Sequence, residues 1–415
     1  MRQDVAQSAA RPLPESAMIP PSTPLINPLL AGITTPPVAE ARNWVRGRSF
    51  PAEKPLIDLA QAVPAHPPAD ALLARLAERL HDPDLHRYTD VLGLPALREA
   101  HAGHMSGFYD TRISPSQVAI TAGCNQAFCL AVMAVAAAGD EVLLPLPYYF
   151  NHSMWLGMMG IGAAHPPFEP GAGAIPDPEA AARLIGPRTR AIVLVSPNNP
   201  TGAIYPPEVI RRFYELARAH RIALILDETY KDFRADDARP HDLFDDPDWP
   251  RTVIQVYSFS KVFALTGYRV GSLIAGEHVV EAVEKALDTI AICAPHIGQE
   301  AALIGLTELG GWVAGNARVM RGRAEAFRSG LGAAQGYRLI SLGAYFAFVE
   351  HPFADEPAFG VARRLADSHN LLTLPGPMFG PGLDRSLRLA FANVDASLVP
   401  AVLARLAESL RDDPG

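Results

Sequence analysis

Apolar residues are distributed along this chain in two regimes. Between residues 118 and 275, short and nearly continuous apolar runs occupy 118–121, 141–145, 191–196, 222–227, 252–257 and 270–275. Stretches with apolar residues at helical spacing separate several of them, among them 126–138 and 207–220. A strand reads as an unbroken apolar run only when both of its faces are buried. The pattern therefore predicts an α/β fold whose mainly parallel sheet is sandwiched by helices. Upstream, 37–48 reads as a short helix and 55–59 as extended. Residues 69–80 read as an amphipathic helix through Leu72, Leu73, Leu76 and Leu80, and Pro95 opens another. After a helix near 277–287 the pattern changes. A helical region over 299–330, a strand-like 337–349, a helix over 358–370, a strand over 387–392 and a helix over 398–411 predict a smaller α+β domain. The expected division is a large domain over 63–299 and a small one built from 25–62 and 300–415. The first 24 residues, rich in Pro, Ala and Ser and without an apolar signal core, are expected to be loosely ordered.

Composition narrows the class. At 415 residues, 49% hydrophobic and 19% charged, the chain is long enough for two domains with real cores. A net charge of -8 without a block of like charges points to neither nucleic acid nor a membrane surface. Three cysteines (Cys124, Cys129, Cys293) with no C-x-x-C pair give no disulfide or zinc framework, so no metal site is expected and a reducing, cytoplasmic setting is. No G-x-G-x-x-G follows an early strand, which argues against a dinucleotide-dependent dehydrogenase.

The candidate chemistry gathers where strands end, which is where open α/β sheets bind ligands. Lys261 follows the run 252–257 among apolar neighbours. A buried ammonium is costly, so such a lysine tends to be neutral or covalently committed, for instance as a Schiff base with an aldehyde. Ser258 and Arg269 flank it, and both suit a phosphate. An aldehyde and a phosphate on one molecule are what pyridoxal 5'-phosphate (PLP) presents. An ordinary strand-to-loop lysine remains open at this point. Gly123-Cys124-Asn125 precedes a helix and offers backbone N–H groups to an anion, or is a plain turn. Tyr149 could stack on a planar ring or simply fill the core. Asn198-Asn199 between prolines is an ordinary turn by composition, although an amide there could donate to a ring oxygen. Asp227 ends a buried strand and needs a cation, such as a pyridinium nitrogen, or a structural role as a loop cap. Arg388 lies in an otherwise apolar strand, either at a water-facing edge or capturing a substrate carboxylate bidentately.

In order and spacing, Asn198-Asn199-Pro200-Thr201-Gly202, Asp227-Glu228-Thr229-Tyr230, Ser258-Phe259-Ser260-Lys261, Gly267-Tyr268-Arg269-Val270-Gly271 and Arg388 resemble the class I and II aminotransferases. These belong to the aspartate aminotransferase superfamily of fold type I PLP enzymes. The resemblance runs from about Ala31 to the C-terminus and implies a seven-stranded-type sheet in the large domain. It also implies roles. Lys261 would hold PLP in a Schiff base and move a proton. Asp227 would pair with the pyridine nitrogen, and Asn199 and Tyr230 would bond the ring hydroxylate. Ser258, Arg269 and the backbone of Gly123, Cys124 and Asn125 would hold the phosphate. Tyr149 would stack on the ring and His152 would support Asp227. Tyr88 would reach the partner subunit's cofactor, making the active unit a homodimer with shared active sites. Arg388 would bind the substrate α-carboxylate, beside Asn199 and Ala62.

Two departures show. Ala62 stands where many relatives have a glycine close to the substrate, and between Asp288 and Gln299 there is no arginine, only His296. The second weakens a dedicated dicarboxylate reading. The resemblance implies an aminotransferase passing an amino group from an L-amino acid to a 2-oxo acid by a ping-pong mechanism. A PLP-dependent lyase, decarboxylase or cyclising enzyme on the same scaffold is the alternative. A PLP-sensing regulator would carry an N-terminal DNA-binding segment, for which the short Pro-rich start leaves no room.

Overall fold

The computed structural model of the chain describes residues 25–234, 238–331 and 336–411, so the expectation for residues 1–24 lies outside the described residues. Seven strands form the main sheet: β1 (Val118–Thr121), β2 (Glu141–Leu143), β3 (Gly162–Ala164), β4 (Thr189–Val195), β5 (Ala223–Asp227), β6 (Val253–Ser258) and β7 (Gly271–Ile274). Their spatial order is β1-β7-β6-β5-β4-β2-β3. β7 runs antiparallel to β1 and β6, and the remaining pairs are parallel. The sheet is mainly parallel, as the apolar runs require, because helices cover both faces and each strand buries alternate residues on opposite sides. Leu194, Leu224 and Leu226 join one core with Phe213 and Ala217 of the helix Pro207–His220. Val193, Ile225 and Val256 join the other with Ala127 and Ala131 of the helix Cys124–Val135.

The second sheet is entirely antiparallel. It contains β8 (Arg338–Gly343), β9 (Phe346–Glu350), β10 (Leu374–Pro375) and β11 (Ser386–Leu389) in the order β8-β9-β11-β10. Helices Gly310–Leu331, Ala358–His369 and Val399–Ser409 supply Phe327, Val361, Leu365, Val402 and Leu406 to its core. The short strand Ile57–Asp58 pairs with Leu371–Leu372, which returns the early part of the chain to this region.

Several details differ from the sequence pattern, three of them where pattern misleads most. Strand β3 was not anticipated, because Gly-Ala-Ala carries little strand propensity and its place at the sheet edge demands none. The helical region over 299–330 is two helices, His296–Glu308 and Gly310–Leu331, with Leu309 between them. The run over 337–349 is a hairpin that turns at Ala344, whose φ is +45°. Apolar residues continue through both breaks, so periodicity does not register them.

Candidate active site

The carboxyl ends of β4, β5 and β6, the start of the helix Cys124–Val135 and strand β11 surround a cavity of about 460 Å³. It is lined by Lys261, Asp227, Asn199, Tyr230, Arg269 and Arg388, together with Ala62, Cys124, Asn125, Tyr149 and Ser258. Two further candidates lie just outside it. Gly123 sits under Arg269 and His152 stands behind Asp227. Tyr88 is elsewhere. It is 75% exposed, beside Cys293, Pro295 and His296 on the outer surface.

Lys261 is the third residue of the short helix Phe259–Val262, whose start is capped by the Ser258 hydroxyl accepting from the Ser260 N–H at 3.3 Å. Its Nζ donates to the Ala62 carbonyl at 2.6 Å. Burial first, and then the charges of Arg269 and Arg388, lower its pKa to about 8. A substantial share of this amine is therefore neutral near physiological pH, the state a nucleophilic lysine needs.

Asp227 closes β5 and is 4% exposed. One carboxylate oxygen accepts from the Thr229 N–H at 2.9 Å, and the other lies 3.5 Å from His152 Nε2. His152 is itself fixed by stacking on Phe128, with ring centroids 3.8 Å apart. The Tyr149 ring stands edge-on to His152, and its hydroxyl accepts from Asn151 Nδ2 at 2.7 Å. Burial, reinforced by Asp227, pushes the Tyr149 phenol up to about 12, so it stays neutral. Burial likewise holds the Tyr230 phenol well above its ordinary value.

At one end of the cavity Arg269 lies across the start of the helix Cys124–Val135. It donates to the Thr266 carbonyl at 3.0 Å and the Ala122 carbonyl at 3.4 Å. Gly123 has φ +86° and ψ 166°, and a Cβ there would come within 2.9 Å of Arg269 Cζ and closer still to its Nη2. Only glycine lets guanidinium and helix N-terminus share one concave surface. Burial and Asp227 raise the Cys124 thiol well above its ordinary range, so this residue offers its backbone rather than a thiolate.

The two asparagines of the 198–202 turn divide the work. Asn198 holds the turn together: its Oδ1 accepts from the Thr201 N–H and hydroxyl, and its Nδ2 donates to the Tyr205 hydroxyl. Asn199 faces the cavity, where its Oδ1 accepts from Arg388 Nη1 at 3.1 Å, leaving the amide nitrogen to donate. Gly202, at φ +72°, ends this turn against the hairpin of the second sheet. A Cβ on it would lie 2.5 Å from the Gly343 carbonyl and 2.6 Å from that of Phe346.

Arg388 is not at an edge. Strand β11 lies between β9 and β10, with Arg388 opposite both Phe348 and Leu374, and the residue is 1% exposed. Its guanidinium is held between Phe346 and Phe379 at 5.3 and 5.0 Å, and Nη2 donates to the Ala60 carbonyl. Nε has no partner among the described residues. Burial lowers its pKa to about 10, which still leaves it a cation.

Sequence reasoning did not single out Ser260, Thr266, Thr229, Asn151, Gln61, Pro36 or Val38, all of which line the cavity. Ser260 and Thr229 sit inside motifs already quoted, and Thr266 directly precedes one. Pro36 and Val38 arrive from the far end of the chain and leave no local signal. The site as a whole suits a molecule with an anion at one end and an aldehyde within reach of an amine. Arg269 and the helix start, Arg388 and Lys261 line one cavity, and Asp227 is the only acid among the lining residues described. These residues fit PLP.

Comparison with known proteins agrees. The family model for aminotransferase class I and II matches residues 54–406. An aromatic aminotransferase of Arabidopsis thaliana is 28% identical over 391 residues, covering 92% of this chain and 95% of the relative. A probable aspartate/prephenate aminotransferase of Thermus aquaticus is 30% identical over 331 residues, covering 78% and 84%. Among solved structures, the aspartate aminotransferase of Thermotoga maritima superposes with a TM-score of 0.84 at 25% identity, covering 93% of this chain and all of that one. With the motif residues gathered around one cavity and the family model spanning nearly the whole described chain, this protein belongs to the class I and II aminotransferases, a PLP-dependent family, and is an aminotransferase.

Proposed function

We propose that the cavity binds PLP and an amino acid together, and that the chain works as a cytoplasmic homodimer in which Tyr88 completes the partner's site. The observation that carries this reading is that Lys261, within the electrostatic reach of two cations, Arg269 and Arg388, shares one cavity with them and with Asp227. Bound there, PLP supplies an aldehyde for amines and an electron sink for charge left on the amino acid's Cα. Ser258, Arg269 and the N–H groups that follow Gly123 hold its phosphate. The Asp227 carboxylate, oriented by Thr229 and His152, holds a proton on the pyridine nitrogen. Asn199 Nδ2 and the neutral Tyr230 phenol would hold the ring oxygen, and Tyr149 would lie against the ring. Arg388, already carrying Asn199 and Ala60 as neutral acceptors, turns its remaining donors to the α-carboxylate. That would fix the Cα proton toward Lys261 Nζ, which would act as the base that takes it up and carries it. The neutral fraction of Lys261 makes it competent both to condense with the aldehyde and to act as this base. An amino acid thereby becomes a 2-oxo acid, and a second 2-oxo acid takes the amino group away. Relatives named for aromatic, aspartate and prephenate substrates support amino and 2-oxo acids as the reactants.

The test begins with borohydride reduction of the holoenzyme and peptide mapping, which should place the cofactor on Lys261. Then an amino acid added without an oxo acid should discharge the visible absorbance, and a 2-oxo acid should restore it. A reduced adduct on another lysine refutes the site. Steady release of ammonia and 2-oxo acid from the amino acid alone refutes transfer.

A further inference from the structure

Four charged side chains line the cavity among the described residues: Asp227, Lys261, Arg269 and Arg388. On the function proposed above, on which this inference rests, each has its partner. Asp227 meets the pyridine nitrogen, Lys261 the aldehyde, Arg269 the phosphate and Arg388 the α-carboxylate. Among the described lining residues of this chain, no cation remains for another anion. What does remain in the lining is the apolar set Pro36, Val38, Val63 and Phe150, of which Val38 and Phe150 pack in one cluster, together with the neutral amides of Gln61 and Asn151. Phe150 is 7% exposed and packs against Phe379, the ring that also holds Arg388, so this set adjoins the α-carboxylate anchor. On the surface around Tyr88, the basic side chains Arg87 and His296 each already face a carboxylate, Arg87 with Asp84 at 3.1 Å and His296 Nε2 with Glu300 at 3.6 Å.

We infer that the amino acid handled here carries a neutral side chain, apolar or aromatic, and that the wall Pro36–Val38–Val63–Phe150 selects it against a second carboxylate. A carboxylate pressed against this wall loses water and gains no cationic partner, while an apolar chain of the same length gains contact area. Asn151 and Gln61 accommodate a polar but uncharged tip, so amides should fall between the two.

Methionine, glutamine and glutamate are nearly equal in length and isolate this effect. The measurement is single-turnover discharge of the holoenzyme absorbance, read as the maximal rate divided by the dissociation constant for each. Methionine should exceed glutamate by about 100-fold, with glutamine between them, because an ion left unpaired against an apolar surface is poorly tolerated. The variant Val38→Arg supplies the missing cation and should raise the glutamate-to-methionine ratio by at least ~10-fold through a charge-assisted bond. If glutamate matches or outruns methionine in the wild type, aminotransfer stands and the neutral-side-chain inference falls. If none of the three, nor phenylalanine, discharges the absorbance, the function beneath it falls and takes this inference with it. A ratio unmoved in Val38→Arg overturns the assignment of this wall to the substrate side chain.

Discussion

Replacing Gly123 by alanine tests the phosphate cradle at its tightest point. Two separate effects are expected. The backbone at φ +86°, ψ 166° lies where L residues rarely go, so the apoenzyme should lose roughly 1–3 kcal/mol of stability. The new Cβ also enters the space of the Arg269 guanidinium, 2.9 Å from Cζ, and must push it off the helix start. Losing one charge-assisted hydrogen bond to the phosphate is worth about 1.5–3 kcal/mol, which is about 10- to 150-fold in PLP affinity. Titration of apoenzyme with PLP, followed by visible absorbance, reads the second effect, and a thermal melt of the apoenzyme reads the first. Gly107→Ala is the control: this glycine lies within the helix Pro95–Tyr109 with nothing within 4 Å of an added Cβ. There alanine should be neutral or stabilising by about 0.5–1 kcal/mol, with PLP affinity unchanged. If Gly123→Ala melts lower but binds PLP as tightly as the wild type, Arg269 does not hold the phosphate and the cradle is assigned wrongly.

Arg388→Ala should lower kcat/KM for an amino acid by roughly 3–5 kcal/mol, as expected when a buried pair loses one member, and leave PLP binding intact. Arg388→Lys, which keeps charge without the fork, should lose less but still heavily. A matching amine without a carboxylate should be insensitive to both, and equal losses for amine and amino acid refute carboxylate binding. The depressed pKa of Lys261, about 8 against 10.5 for a free lysine, sets the pH dependence of cofactor capture. At pH 7.5 about a quarter of such lysines are neutral, against about one in a thousand at the ordinary value. The rate of PLP capture by apoenzyme should therefore rise to about pH 8 and level off, and a rate still climbing tenfold per unit toward pH 10 refutes the shift. Because the folded state disfavours the Lys261 proton, this residue should also make apoenzyme stability rise with pH between about 8 and 10.5.

Much of the fold was legible because buried strands and amphipathic helices obey different periodicities. Residues 118–121 and 207–220 match elements of the structure end for end. Chemistry was legible for a related reason: a polar residue at the end of an apolar run stands out, as Asp227 and Arg388 do. What pattern could not decide was neighbourhood. Whether Arg388 met water or protein depended on the strands either side of it, which come from residues 346–350 and 374–375. Nor could composition separate Asn198 from Asn199, because adjacent residues in a turn point in different directions and only tertiary packing says which one meets the cavity. Pro36 and Val38 are the extreme case, two ordinary residues brought to the site from about 225 positions upstream of Lys261.

The meeting of Gly202 with Gly343 and Phe346 acts as a gear with no play. Side chains between two bodies absorb small displacements by changing rotamer, but here backbone rests directly on backbone. The hairpin made by β8 and β9 therefore meets the turn that carries Asn199 through backbone alone, with no side chain between them to yield. Asn199 is bonded to Arg388, and Arg388 rides on β11, the strand next to β9. The two ends of that hydrogen bond thus belong to different sheets yet keep step, one through the ladder and the other through the glycine contact. Arg388 and Asn199 are thus held in register by two separate backbone contacts as well as by the hydrogen bond between them. Bulk introduced at either glycine would strip the gear.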